Sequence, residues 1–222
     1  MVAGSQRFVE FKFMKDSKCK ICRRLGTKLF LRGERCLSQK CSMVRKPYPP
    51  GPKAKKRRRA FSEYGKELKE KQKLKNWYNL EERQFRKYVK EILKARGKVA
   101  DVGVALIKTL ESRLDNVVFR LGFASSRNAA RQMVSHRHFM INDKPIDIPS
   151  YLVKKGDKIS LKPSSAKKTI FQKLFPFLKK HNPPSWLKLD AKNLEGKVTD
   201  SPNLEEAALP AELSSIFEFY SK

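Results

Sequence analysis

The sequence predicts an α+β fold, mostly helical, with a small antiparallel sheet late in the chain. Three observations carry this. From Ser62 to about His136 the apolar residues recur at helical spacing. At Phe139 the pattern changes to short strands, with Asn142-Asp143 placed to make a tight turn. All four cysteines fall between Cys19 and Cys41, ahead of the helical region, where they can close a segment too short for a core of its own.

The chain has 222 residues, enough for one or two domains, and its 40% hydrophobic content is that of a folded protein. Charge is the dominant feature: 51 Lys and Arg face 22 Asp and Glu, a net +29. Such a balance calls for a polyanionic partner: RNA, DNA or an anionic membrane. No stretch approaches the ~20 apolar residues of a spanning helix, and the basic residues are spread along the whole chain instead of flanking an anchor. The start, MVAGSQRFVEFKFMKDSK, lacks the apolar core of a secretory signal, and Glu10 and Asp16 argue against a transit peptide. A cytosolic nucleic-acid binder is the leading class.

Taken in order, Phe8, Val9, Phe11 and Phe13 suit a short strand or a docking segment. The run CKICRRLGTKLFLRGERCLSQKC then gives C-x2-C, thirteen residues, and C-x4-C. Two close pairs joined by a mid-length loop suit structural Zn2+ held by Cys19, Cys22, Cys36 and Cys41, with all four positions filled by protein. Nearby Arg23, Arg24, Arg32 and Arg35 would depress the thiol pKa values. Four ordinary reduced thiols are the plainer alternative, and an oxidising compartment would allow two disulfides.

Residues 47–60, PYPPGPKAKKRRRA, begin with helix-breaking prolines and continue into Lys53, Lys55, Lys56, Arg57, Arg58 and Arg59. Such a block seeks phosphates; a solvated tail or a nuclear localisation signal are the alternatives. A basic helix starts at Ser62. A second starts near Asn79 as N-cap, with Glu82 three positions on and Phe85, Val89, Ile92 and Leu93 as its buried stripe. Arg83, Arg86, Lys87, Lys90 and Lys94 occupy its other faces, and Gly97 is placed to end it.

A third helix is expected from an Asp101 cap to Leu121, ending at Gly122. Ser125 or Ser126 caps a fourth, running to about His136. Ala129, Ala130, Met133 and Val134 form its packing face; Arg127, Arg131, Gln132, Ser135 and His136 form a phosphate-binding front. The segment FMINDKPIDI reads as a hairpin and residues 157–161 as a third strand. A helix follows from Thr169 to Lys180, interrupted at Pro176, then an irregular stretch around Pro183, Pro184 and Trp186. Residues 195–212 are the one acidic segment, and IFEFYSK closes the chain as a helix or strand docked on an earlier apolar surface.

Several segments together carry a resemblance: CRRLGTKLFLRGERC, PYPPG, KEKQKLKNWY, ERQFRKY, LESRLDNVVFRLGFASSRNAARQMVSH, IND with PSYLV, and the terminal EFYSK. In this order, over residues 18–222, the chain resembles the ribosomal protein S4 family of bacterial or organellar type. The resemblance implies a helical RNA-binding body with an N-terminal zinc knuckle and an inserted S4 RNA-binding domain. The expected divisions are 1–46, 47–109, 110–172 and 173–222, the last rejoining the body. It implies direct binding of 16S-type ribosomal RNA, nucleation of 5′-domain assembly, contact with ribosomal protein S5 that influences accuracy, and a position near the incoming mRNA. The expected RNA contacts are Arg83, Arg86, Lys87, Arg113, Arg127, Arg131, Gln132, His136, Arg137 and Lys144, with Lys53 to Arg59 toward the mRNA. The chain departs from the family in PPGPKA, where PPGQHG is usual, in Asn142-Asp143, where Asn-Gly is usual, and in its first 17 residues.

Two other classes compete. An enzyme needs a nucleophile, a base and a pocket. His136, His138 and His181 lie among arginines or prolines with no evident partner in sequence. S4 domains do accompany catalytic domains in pseudouridine synthases and a tyrosyl-tRNA synthetase, but this chain has no room for one. A non-ribosomal S4-domain regulator or rescue factor would be shorter and would lack both the cysteine knuckle and the EFYSK end. No membrane and no small-molecule substrate are expected.

Overall fold

A computed structural model describes residues 17–51, 60–95, 97 and 101–221. Phe8, Val9, Phe11 and Phe13 lie outside the described residues, as do Lys53, Lys55, Lys56, Arg57, Arg58 and Arg59.

The described chain opens with α1 (Ser17–Leu25), which carries Cys19 and Cys22, followed by short α2 (Glu34–Leu37) and α3 (Ser42–Arg45). Cys22, Leu25 and Leu29 form a small core beneath them. Gly33 ties this segment to the later chain. Its φ is +59°, and a Cβ there would stand 2.6 Å from the Ser125 carbonyl oxygen, so only glycine allows the approach.

Helix α4 (Glu63–Trp77) is capped by Ser62, whose Oγ accepts from the Gly65 amide at 3.3 Å. Helix α5 (Glu82–Lys94) buries Phe85, Val89 and Ile92, as its periodicity predicts, together with Tyr88. Its cap position is taken by Glu81, not Asn79. Asn79 instead turns the chain between the two helices at φ +55°, a conformation that a short polar side chain tolerates.

Asp101 caps α6 (Val102–Glu111) as expected, accepting from the Gly103 amide at 2.7 Å. The expected single helix to Leu121 breaks at Ser112 and Arg113, and α7 (Leu114–Arg120) restarts it. Pairing with a distant loop explains the break. The Leu114 amide donates to the Tyr151 carbonyl (2.8 Å), the Asp115 amide to Pro149 (3.1 Å), and the Val153 amide to Ser112 (2.9 Å). Gly122 follows at φ +84°, and Ser126 caps α8 (Arg127–Ser135) by accepting from the Ala129 amide at 3.3 Å.

Strands β1 (Phe139–Ile141) and β2 (Lys144–Ile146) form the expected hairpin, with Asn142 and Asp143 at φ +48° and +65°. Strand β3 (Lys158–Leu161) pairs with β1. The sheet does not stop there. After α9 (Pro163–Ala166) and α10 (Thr169–Leu178), strands β4 (Leu187–Asp190) and β5 (Glu195–Val198) extend it to the antiparallel order β2-β1-β3-β5-β4. The stretch around Pro183, Pro184 and Trp186 is irregular as expected, but the sequence did not reveal the strands that follow it: β4 and β5 are short and charged, with Leu187, Gly196 and Val198 facing the core. Pro176 does not interrupt α10, which continues to Leu178.

Helix α11 (Leu213–Ser221) returns to the first half of the chain, setting Phe219 against Tyr64 of α4 (ring centroids 5.4 Å) and Tyr220 against Phe85 of α5 (6.2 Å). Two main apolar cores result. One joins α7 and α8 to the sheet and α10 through Leu114, Val118, Phe123, Val134, Phe139, Ile159 and Phe171. The other joins α4, α5, α6 and α11 through Leu74, Phe85, Val89, Leu106, Leu110 and Ile216.

Candidate nucleic-acid interface

Helix α8 has the two-sided character its sequence predicts. Ala130 and Val134 are buried, and Ala129 and Met133 pack beside them. Gln132, Ser135, His136 and Arg137 lie on the open side. Arg131 is half-exposed, with Nη1 3.8 Å from the Asp115 carboxylate. Arg137 donates from Nε (2.8 Å) and Nη2 (2.7 Å) to Asp147 at the surface, and Lys144 is exposed on β2. His138 sits further in, its Nδ1 2.9 Å from Ser165 Oγ, a partner that sequence did not reveal.

A second basic face lies on α5. Arg83, Arg86, Lys87 and Lys90 are exposed, and together with Lys94 they line one shallow groove. Lys87 is only loosely matched by Glu91 at 3.8 Å. These cations sit opposite the helix's buried Phe85 and Val89, so amphipathicity alone presents them to a partner.

Two expected contacts are corrected. Arg113 is 1% exposed: Nε and Nη2 donate to Asp115 (3.1 and 2.7 Å) and Nη1 to the Tyr88 hydroxyl (2.7 Å). Arg127 is 7% exposed: Nε donates to Asn116 Oδ1 (2.7 Å), and the guanidinium stands 4.6 Å from the Trp77 and Phe119 ring centroids and 5.0 Å from Tyr78. Burial lowers the Arg127 pKa to about 10, which still leaves it charged at neutral pH. Both side chains face inward because aromatic residues of α4 and α5, far away in sequence, receive them.

The polar residues around them went unnoticed in the sequence. Glu111 is buried, and its carboxylate accepts from Arg120 Nη2 and Nε (2.8 and 2.9 Å), the Tyr78 hydroxyl (2.6 Å) and Asn116 Nδ2 (2.6 Å). Burial works against the Glu111 charge, but the Arg120 hydrogen bonds and charge outweigh it, so its pKa lies below the ordinary value. The available signal was the seven-residue spacing of Arg113, Arg120 and Arg127 within otherwise core-forming helices.

The four cysteines are free thiols that border one cavity of about 10 Å³. Arg32 donates to two of them, from its amide to Cys36 Sγ (3.4 Å) and from Nη1 to Cys19 Sγ (3.7 Å). Burial raises the Cys22 and Cys36 pKa values. At Cys19 burial acts the same way, but hydrogen bonds from Ser42 and Arg32 and the charges of Arg32 and Arg35 turn the shift downward. The expected depression by arginines is therefore corrected to Cys19 among these three. Among the described residues no three His, Cys, Asp or Glu side chains are gathered closely enough to hold a metal ion.

Comparison with known proteins decides the family. Residues 14–111 match the ribosomal protein S4/S9 N-terminal domain, and residues 112–159 match the S4 domain. The chain belongs to the ribosomal protein S4 family. Its role is therefore structural, and it is not an enzyme. The two matched regions meet at the break between α6 and α7. Similar relatives include the small ribosomal subunit protein uS4 of Caldicellulosiruptor bescii, 48% identical over 204 residues (92% of this chain, 96% of the relative). The uS4 protein of Thermus thermophilus is 45% identical over the same shares, and uS4A of Bdellovibrio bacteriovorus is 46% identical over 207 residues (93% and 98%). Among the described residues no helix is long and apolar enough to cross a membrane.

Proposed function

We propose that this chain is a structural protein of the small ribosomal subunit that grips 16S-type ribosomal RNA with two basic faces, one on α8 and β2 and one on α5. The observation that carries the reading is that an S4-family chain of net charge +29 presents Arg83, Arg86 and Lys87 on one open face and Arg131, Gln132, His136, Arg137 and Lys144 on another. Lysine and arginine displace counterions from phosphates, so affinity falls steeply with salt. Structured RNA is read by shape through its backbone and 2′-hydroxyls, which suits faces built of cations and amides with no catalytic group. The same reading has the protein nucleate 5′-domain assembly and adjoin ribosomal protein S5. It sets the basic run from Lys53 to Arg59 toward incoming mRNA.

Four sulfur donors bordering one cavity match Zn2+ in kind and number, though not in spacing: they would have to draw closer together to bind it. Cys19, Cys22, Cys36 and Cys41 would hold it, and it would serve as a structural staple for the segment around α1.

The test is binding of small-subunit ribosomal RNA by Arg83→Glu/Arg86→Glu. The fold should survive, because both side chains are exposed. Affinity should fall at least about tenfold at moderate salt, with a shallower salt dependence. Wild-type affinity with an unchanged slope would remove α5 from the interface.

A further inference from the structure

Leu110 belongs to one apolar core and Leu114 to the other. Between and around them lies a layer of buried polar groups: Glu111, Arg113, Asp115, Asn116 and Arg127. Three arginines of the S4 module cross this layer into the helical body. Arg113 reaches the Tyr88 hydroxyl on α5 (2.7 Å). Arg120 forks onto Glu111 at the end of α6 and also donates to the Ala207 carbonyl (3.0 Å). Arg127 lies against Trp77 and Tyr78 at the end of α4. Each contact meets a different element of the body, so together they fix more than a single hinge direction.

Stability alone gives such a layer little reason to exist. A buried ion pair is often no more stable than apolar residues of the same volume, whereas its directional bonds select one arrangement. The two faces proposed to grip RNA belong to different cores, α5 to that of the body and α8 with the sheet to that of the module. Two linked grips gain affinity only when both can reach their sites together.

We infer that Arg113 and Arg127, both buried, and the partly buried Arg120 are positioning residues that set the angle between the two RNA-facing surfaces, so that one RNA is held by both at once. The inference rests on the RNA-binding reading above. It treats these arginines as parts of the grip that touch no RNA.

The experiment compares wild type, Arg120→Met and the double variant Glu111→Gln/Arg120→Met in binding to small-subunit ribosomal RNA across a salt series. Each protein is first melted to choose a temperature at which it is folded. Arg120→Met strands a buried carboxylate and is expected to lose stability. The double variant removes both charges and should recover much of that loss. If the layer sets the angle, the folded double variant still binds at least about tenfold more weakly, with a shallower salt slope, because one grip no longer engages. If the layer only stabilises, affinity and slope return to wild-type values together with the melting temperature, and the inference is overturned. A wild-type protein whose affinity does not respond to salt would overturn the RNA reading itself, and this inference with it.

Discussion

The two apolar cores are built from the chain in different ways. The core of the S4 module draws on Leu114 to Val198, one nearly continuous stretch. The core of the helical body joins Leu74 to Leu110 with Ala207 and Ile216, and so spans the whole module. The module can pack from its own sequence, whereas the body closes only when α11 arrives at α4 and α5. The largest effect should follow from breaking that closure. Deleting 213–222 removes the buried Ile216 and the Tyr220 hydroxyl, which donates to Glu82 (2.9 Å). Losing a buried isoleucine alone costs about 2–5 kcal/mol. The deletion should therefore abolish amide protection in α4 and α5 while sparing β1 and β3. Equal loss of protection in both regions would show that the module depends on the body as much as the reverse.

This contrast also explains which features were legible in the sequence. Asp101 and Ser126 were readable as caps, and Ser62 as a helix start, because a cap is a bond to an amide two or three residues away. Asn142-Asp143 was readable as a turn for the same local reason. The break at Ser112 and Arg113 was not, because its cause lies at Pro149 and Tyr151. Strands β4 and β5 were missed because β3, the strand that joins β5 to the rest of the sheet, lies across α9 and α10 in sequence. The interface divides likewise. That Arg83, Arg86, Gln132 and His136 face outward was legible from helical periodicity. Arg113 and Arg127 are the same residue type at equally plausible positions, and they turn inward toward partners that include Tyr88 and Trp77, distant in sequence.

The cysteine segment sharpens the comparison, being smaller than either region. Its core is Cys22, Leu25 and Leu29, too little apolar surface to hold three short helices unaided. If zinc supplies the rest, the purified protein should carry about one zinc per chain. A strong chelator should then release protection over residues 19–41 while the S4 module keeps its own. Metal-free protein with full protection in that segment would show that direct packing, such as Gly33 against Ser125 and Phe30 against Trp77, is anchor enough.

The smallest effect tests whether the module can be tuned without touching the body. Asp143 holds φ +65° at the exposed tip of the hairpin, where glycine carries no steric penalty. Asn142 is fixed by its own bonds: Nδ2 donates to Asp157 (2.9 Å), and Oδ1 accepts from the Lys158 amide (3.0 Å). Only the second turn position is therefore free to change. Asp143→Gly should relieve about 0.5 kcal/mol of backbone strain, partly offset by the greater freedom of the unfolded glycine. Protection should rise slightly in β1 and β2 and remain unchanged in α5, because the substitution lies at the sheet edge farthest from β4 and meets neither arginine clamp nor α11. A gain shared equally by α5 would mean that the two cores unfold as one unit, and that the polar layer between them transmits stability as well as orientation.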